Sequence, residues 1–228
     1  MNKLSSDERL PLYQRLRDSL AEQIANNRWR PGEAIPTEAA LSAEYCLSTG
    51  TVRKAIDLGL AYATEDRKDA GLVLGDSITR NTSMANLAAV SKRWVMNGLA
   101  ETAVAQDFRS RLHIRSPNVE QSVETLSGGN QQKVVLGKWL FSDPKVLILD
   151  EPTRGIDVGA KYEIYAVVNQ VVSEGRCVVM ISSEMAELLG TCDRIYVLNE
   201  GRFVGEFTIA EASQEKIMQA IMKNEVIQ

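Results

Sequence analysis

From Leu12 onward apolar residues recur at every fourth position, Leu12, Leu16, Leu20 and Ile24, which is the stripe of one amphipathic helix. Trp29-Arg-Pro-Gly32 supplies the turn residues that end it, and Pro36-Thr37 opens a second helix with Thr37 at the N-cap. That helix is short, Thr37 to Tyr45, and carries Leu41 inward. After a brief turn around Leu47, Ser48 is placed to cap a third helix holding Val52 and Ile56. A short helix, a tight turn and a second helix are the parts of a helix-turn-helix. Further on the pattern changes. Residues 80–120 are Ala-rich and helical, interrupted at Gly98 and Pro117. Lys145–Leu149 and Arg176–Ile181 predict parallel strands joined by a helix from Ala160 to Glu174, which Gly175 ends. Arg194–Leu198 and Arg202–Thr208 predict two more strands around an Asn199-Glu-Gly201 turn. The expected fold class is an α/β core behind an all-α N-terminal module.

Two segments of the second half carry chemistry. Leu126-Ser-Gly-Gly-Asn-Gln-Gln132 is glycine-rich and opens a helix, so Ser127 and the backbone N–H groups of Gly128 and Gly129 can point at a phosphate. Unbonded N–H groups and the helix macrodipole both favour an anion there. Val146-Leu-Ile-Leu149 is apolar without alternation, as in a buried parallel strand, and delivers Asp150 and Glu151 at its C-terminal end. Together, in this order and at this separation, they resemble the signature loop and the Walker B strand of an ABC-transporter ATPase.

The resemblance extends nearly end to end, from Leu60 to about Lys223, to the C-terminal cassette of carbohydrate ABC importers of the ribose, galactoside and xylose class. It rests on Thr64-Glu-Asp-Arg-Lys68, Gly71-Leu-Val-Leu-Gly75, Leu126 to Lys133, Pro144 to Lys161, Ser182-Ser-Glu-Met-Ala-Glu187 and Asp193 to Gly201. It implies ATP and Mg²⁺ as cofactors, with a second ABC cassette and a membrane permease subunit as partners. Asp150 would bind Mg²⁺, directly or through water, and Glu151 would be the catalytic carboxylate that polarises the attacking water. Ser127, Gly128, Gly129, Asn130 and Gln131 of the signature loop, with Asp157 of the D-loop, would meet ATP held by the opposite cassette. Two positions depart from the general ABC pattern: Glu65 stands where the Q-loop glutamine is expected, and Ser183 replaces the switch histidine. A larger departure is the Walker A motif, G-x-x-x-x-G-K-[ST], whose backbone cradle and lysine grip the phosphates. None of the 15 glycines opens one, and the only Gly-Lys pair, Gly137-Lys138, is followed by Trp139. The expected core is therefore an ABC-ATPase fold without its Walker A segment, with a helical subdomain over about 80–125.

The first half resembles something else. Pro11-Leu-Tyr-Gln14, Trp29-Arg-Pro-Gly32, Pro36-Thr-Glu38, Leu41 and Ser48-Thr-Gly-Thr-Val-Arg-Lys-Ala55 are similar to the winged helix-turn-helix of GntR-type bacterial transcription regulators, over about residues 8–58. The resemblance implies that the helix from Thr49 lies in the major groove of double-stranded DNA. Ser48, Thr49, Gly50, Thr51, Arg53 and Lys54 would then face bases or phosphates, and Thr37 the backbone. Many family members carry Arg directly after the serine of this turn, where this chain has Thr49. The two-stranded wing that should follow is absent from the sequence. Gly59-Leu-Ala-Tyr-Ala-Thr64 already belongs to the ATPase pattern, with no Gly/Ser/Pro linker between. The expected domains are residues 1–59 and 60–228, meeting at a seam near Asp57–Leu60 that reads as a fusion of two gene fragments.

Composition narrows the function classes. The chain has 228 residues, 44% hydrophobic and 25% charged, with a net charge of -4, so no global basic field attracts nucleic acid. Acidic and basic side chains balance within residues 1–60 as well, so any DNA contact depends on the local placement of Arg53 and Lys54. Cys46, Cys177 and Cys192 lack C-x-x-C spacing and fit reduced, buried thiols. No apolar run approaches the roughly 20 residues of a membrane span. A cytoplasmic protein is expected, peripheral at the inner face of the plasma membrane where a permease holds it. His113, the only histidine, has no partners for a triad or a metal cluster, and a surface or packing role is expected of it. Three readings remain open: an ATPase component that lends its signature loop in trans and does not hydrolyse ATP alone, a GntR-type regulator with an ABC-derived passenger, and a fusion without function.

Overall fold

The computed structural model describes residues 59–93 and 95–223, which form two compact units, one spanning Gly59–Ser182 and the other including Ser183 onward. The three helices expected before residue 59, and with them Thr37, Ser48, Thr49, Gly50, Thr51, Arg53 and Lys54, lie outside the described residues.

In the first unit, strands β1 (Leu60–Ala63), β4 (Val146–Asp150) and β5 (Cys177–Ile181) make a parallel sheet with β4 in the centre. Tyr62 pairs in register with Ile148, and Ile148 with Val179. Gly59 sets the start of β1: its φ is +93°, and a Cβ there would lie 3.0 Å from the Lys145 nitrogen. Its carbonyl accepts from Lys145 and Val146 N–H, joining the two strands before their ladder begins. Only glycine combines that backbone angle with so close an approach.

Between β1 and β4 lie a π-helical turn (Arg67–Gly71), helix α1 (Ile78–Ser83), a 3₁₀ segment (Met84–Val90), the short strands β2 (Ser91–Lys92) and β3 (Val95–Met96), and helix α2 (Gly98–Arg111). A second 3₁₀ turn (Val123–Thr125) leads into helix α3 (Gly128–Leu140). Gly98 opens α2 instead of interrupting a helix, because the Asn97 side chain caps it by accepting from Leu99 and Ala100 N–H. Asn81, fully buried in α1, accepts from Val73 N–H and donates to the Val73 and Ser77 carbonyls, holding the preceding loop to its helix.

After β4, helix α4 (Val158–Ser173) returns the chain to β5. It begins two residues before the expected Ala160 because Asp157, whose Oδ1 accepts from Ala160 N–H, is its N-cap. Its end is as expected: Gly175, at φ +84°, donates to the Val172 carbonyl.

One large core cluster packs against one side of this sheet. Ala61, Ala63, Leu147 and Leu149 pack with Val134, Val135 and Leu136 of α3, Ile164, Val167 and Val168 of α4, and Ala105 and Phe108 of α2. Fully burying each such Val or Leu contributes about 1.5–3 kcal/mol. Side chains of the alternate register point to the other side, where Val179 and Ile181 are 48% and 39% exposed. A parallel strand covered on both faces does not alternate, as β4 does not, whereas β5 alternates between exposed and half-buried positions.

The second unit, as far as it is described, contains helix α5 (Met185–Thr191), strands β6 (Arg194–Asn199) and β7 (Arg202–Thr208), and helix α6 (Gln214–Lys223). The strands pair antiparallel around Glu200 and Gly201, at φ 47° and 76°, the two left-handed residues that a tight hairpin needs. Ile195, Val197 and Ile217 form its buried cluster, with Met185, Leu188, Phe207 and Ile221 against them.

Lys138 of α3 is buried, and among the described residues no carboxylate pairs with it. Its ammonium donates to the Gly71 carbonyl and lies 5.0 Å from the Trp139 ring centroid. Burial lowers its pKa to about 8. A lysine depressed from its ordinary value favours the fold only when neutral, so its contribution is present at high pH and lost as pH falls through about 8. The unfolding free energy of the wild type minus that of Lys138→Met should therefore rise between pH 8 and 10, by an amount of order 2–3 kcal/mol. Denaturant titrations across that range check this, and a flat difference would show that Lys138 keeps an ordinary pKa.

Candidate nucleotide-binding site

The N-terminus of α3 is held in place by its own first turn. Ser127 occupies the N-cap position, but its side chain accepts no backbone N–H. Its Oγ instead accepts from Asn130 Nδ2 at 2.9 Å. Asn130 Oδ1 in turn accepts from Arg115 N–H at 2.8 Å, which fixes the orientation of the amide. A hydroxyl oxygen that accepts on one side keeps its own proton for another acceptor. The Ser127 O–H is thereby left to donate outward. The first bond inside the helix runs from Gln131 N–H to the Ser127 carbonyl, so the amides of Gly128, Gly129 and Asn130 have no acceptor within α3. Three backbone donors, one hydroxyl and a helix dipole converge on one end, a suitable seat for a phosphate oxygen.

Close packing brings the turn before α4 beside this end. A Cβ on Gly129 would lie 2.6 Å from the Ala160 Cβ, so the first turns of α3 and α4 touch through a position that only glycine can fill. A hollow of about 160 Å³ lies between them, lined by Ser127, Gly129, Asn130, Lys133, Asp157 and Glu163 among others. Lys133 is fully buried; it donates to the His113 carbonyl at 3.0 Å and is ion-paired with Glu163. The hydrogen bond from Lys133, aided by the charges of Lys133 and Arg115, holds the Glu163 carboxyl below the usual carboxylate range. His113 itself is exposed and contributes only its backbone here.

Asp150 and Glu151 close β4. The Tyr62 hydroxyl donates to Asp150 Oδ2 at 2.7 Å from the neighbouring strand. Burial raises the pKa of Asp150, the Tyr62 hydrogen bond works against that rise, and the charge of Glu151 adds to it. Burial and the adjacent Asp150 push the Tyr62 phenol above its ordinary range. Glu151 sits at φ 43°, a left-handed angle uncommon outside glycine, and its N–H donates to the Ile181 carbonyl at 2.8 Å. Among the described residues no group of three or more His, Cys, Asp or Glu side chains could hold a metal alone. Mg²⁺, however, typically takes only one or two carboxylates and completes its shell with water and phosphate oxygens. Asp150, with one oxygen held by Tyr62, fits such an ion.

The remaining expected site residues are dispersed. Gln131 turns inward, buried, with Nε2 donating to the Val123 carbonyl. Glu65 is ion-paired with Arg154, in the loop that follows Glu151. Ser183 is exposed and belongs to the second unit. The structure thus gathers Ser127, Gly129, Asn130 and Asp157 around one hollow, and Asp150 and Glu151 at a strand end. Tyr62, Arg67 and Arg154 also contact these loops, and sequence reasoning gave them no role. Tyr62 had one faint signal, a phenol within a short, otherwise small-residue strand.

Two family profiles match the chain: "ABC transporter" over residues 39–154, and "Bacterial regulatory proteins, gntR family" over residues 12–58. Residues 39–58 belong to both matches. The L-arabinose transport ATP-binding protein AraG of Geobacillus stearothermophilus is 46% identical over 208 residues, 91% of this chain and 38% of that protein. That match is longer than the stretch from Leu60 to the last residue, so it also runs upstream of the seam. The xylose import ATP-binding protein XylG of Thermoanaerobacter pseudethanolicus is 53% identical over 172 residues, 75% of this chain and 34% of that protein. The chain spans little more than a third of the length of these relatives. Among solved structures, a dimeric ATP-binding cassette in a post-hydrolysis state bound to ADP and Pi superposes with a TM-score of 0.61 at 18% identity, covering 72% of this chain and 68% of that one. An ATP-binding cassette in its ADP conformation gives 0.56 at 20% identity, over 74% and 66%. At that identity the likeness is one of fold. The chain belongs to the ABC transporter family, and its residues 12–58 match the model of bacterial regulatory proteins of the gntR family.

Proposed function

We propose that this chain is an ATP-binding component related to bacterial sugar importers which lends its signature loop to ATP held by another cassette and does not hydrolyse ATP alone. The observation that supports this reading is the contrast between the two halves of an ABC site. The lending half is built: Ser127 has a proton to donate, three amides at the start of α3 lack helical acceptors, and Asp157 caps the adjoining helix. The receiving half would need a Walker A cradle, and no segment of this sequence supplies one. Phosphoryl transfer is mainly positioning and charge neutralisation, so a cassette without the cradle loses most of its grip on the triphosphate.

In a shared site, Ser127, Gly128 and Gly129 bind phosphate oxygens of a nucleotide seated on the partner cassette. Asn130 holds the Ser127 hydroxyl in its donating orientation. Asp150 is the residue that would hold Mg²⁺, which neutralises phosphate charge when bound, and Glu151 is placed to accept a proton from water. The partners follow from this role: a second ABC cassette and, at the cytoplasmic face of the membrane, a permease subunit. The relatives' names point to pentose import, and hexoses or galactosides belong to the same transporter class.

The gntR-family match supports a second reading, in which residues 12–58 bind double-stranded DNA and the cassette is a passenger. Arg53 and Lys54 would carry that contact, and their small number limits its strength.

Purified alone, the chain should release no phosphate from ATP above background; turnover that Glu151→Gln abolishes would overturn this expectation. Mixed with a sugar-importer cassette that has an intact Walker A, it should raise that cassette's ATPase rate, and Ser127→Arg should remove the increase. Absence of any increase from a chain that is folded by circular dichroism would exclude the trans role. Operator-library titrations at two salt concentrations test the second reading. Weak binding is expected, with about −0.9 of log–log slope per phosphate contacted. Sub-nanomolar binding that Arg53→Ala leaves intact would contradict it.

A further inference from the structure

Arg67 opens the π-helical turn after β1, at a distance in sequence from both the signature loop and the D-loop, yet its guanidinium lies against both. Nη1 donates to the Arg154 carbonyl at 3.0 Å. Nη2 lies over the Gly128 α-carbon: a Cβ built there would come within 2.9 Å of it, and within 3.4 Å of the Gly155 carbonyl. Arg154 is in turn ion-paired with Glu65, two residues before Arg67. Gly155, at φ +67°, is the turn that leads to Asp157. The planar group is therefore wedged between the first residue of α3 and the loop approaching α4, with one edge bonded and one face on glycine. A guanidinium suits that geometry because it is flat and presents several fixed donors; an ammonium would make one contact or the other.

We infer that Arg67 is a positioning residue for the signature loop, clamping Gly128 against the Arg154–Gly155 segment so that Ser127 and the first α3 amides face outward at a fixed angle. The inference rests on the trans reading above for its catalytic consequence, but the clamp itself is a property of this chain. It also accounts for two sequence features. A side chain at position 128 would have to displace the guanidinium, which fits the glycine there. Glu65, at the position where a glutamine was expected, contributes by anchoring Arg154, the residue to whose carbonyl Arg67 donates.

Two measurements test it on the full chain. The first is amide hydrogen exchange of Gln131, whose N–H makes the first bond of α3. It should accelerate about tenfold or more in Arg67→Ala while the melting temperature moves little, because local opening reports local free energy. In Arg67→Lys recovery should be partial. Gly128→Ala should displace the guanidinium and accelerate exchange as well, and adding it to Arg67→Ala should produce less than the sum of the two effects, as expected for residues in contact. The second is the stimulated ATPase assay. Arg67→Ala should lower the maximal rate about tenfold with the KM for ATP nearly unchanged, because the nucleotide is held by the other cassette. Unchanged Gln131 exchange in Arg67→Ala, or strict additivity with Gly128→Ala, overturns the clamp. If the wild type stimulates no cassette, the trans reading fails while exchange still decides the role of Arg67.

Discussion

The meeting of the N-termini of α3 and α4 is the constraint on which the site depends. Two contacts set it. Gly129 lets the backbone of one helix approach the Ala160 methyl of the other, closer than any side chain would allow. One turn further along α3, the buried Lys133 ammonium reaches Glu163 on α4 and the His113 carbonyl in the loop after α2. A buried ammonium left without such partners would be costly, so the helices cannot slide without exposing or orphaning it. Van der Waals contact fixes the distance between the helices, and the charge pair fixes their register.

Around that junction each loop is held by a different kind of interaction. The signature turn is ordered from within, through the Arg115–Asn130–Ser127 chain of hydrogen bonds. The loop after Glu151 is ordered from outside, by Arg67 and by the Glu65–Arg154 pair. Asp150 is held across the sheet by the Tyr62 hydroxyl. These bonds fix donors and acceptors in place within the fold itself.

Val179 and Ile181 lie exposed on a strand whose neighbour, β4, is covered. A parallel strand is stabilised chiefly by what lies on its two faces. Here α3 and α4 bury one face, and Leu147, Leu149, Val135 and Ile164 form a single cluster on it.

The sequence alone determined the parts with strong local codes. Apolar runs closed by Asp150-Glu151, glycines at Gly175 and Gly201, and the Leu126–Gln132 loop announced strands, caps and chemistry, because period, turn residues and backbone freedom are properties of neighbours in the chain. Strand β1 was not legible: Leu-Ala-Tyr-Ala is too short and too small to show a period, and it becomes a strand only by pairing with β4. The hairpin of β2 and β3 was hidden for the same reason. Gly128 and Gly129 were legible as phosphate-facing glycines, but not as packing glycines, since Arg67 and Ala160 approach them from distant parts of the chain. Gln131 looked equivalent to Asn130 in the motif, yet helical rotation turns one amide into the core and leaves the other beside Ser127. Tertiary structure decided which of these polar groups are spent on one another and which are left to meet a ligand, because that depends on partners no local pattern can name.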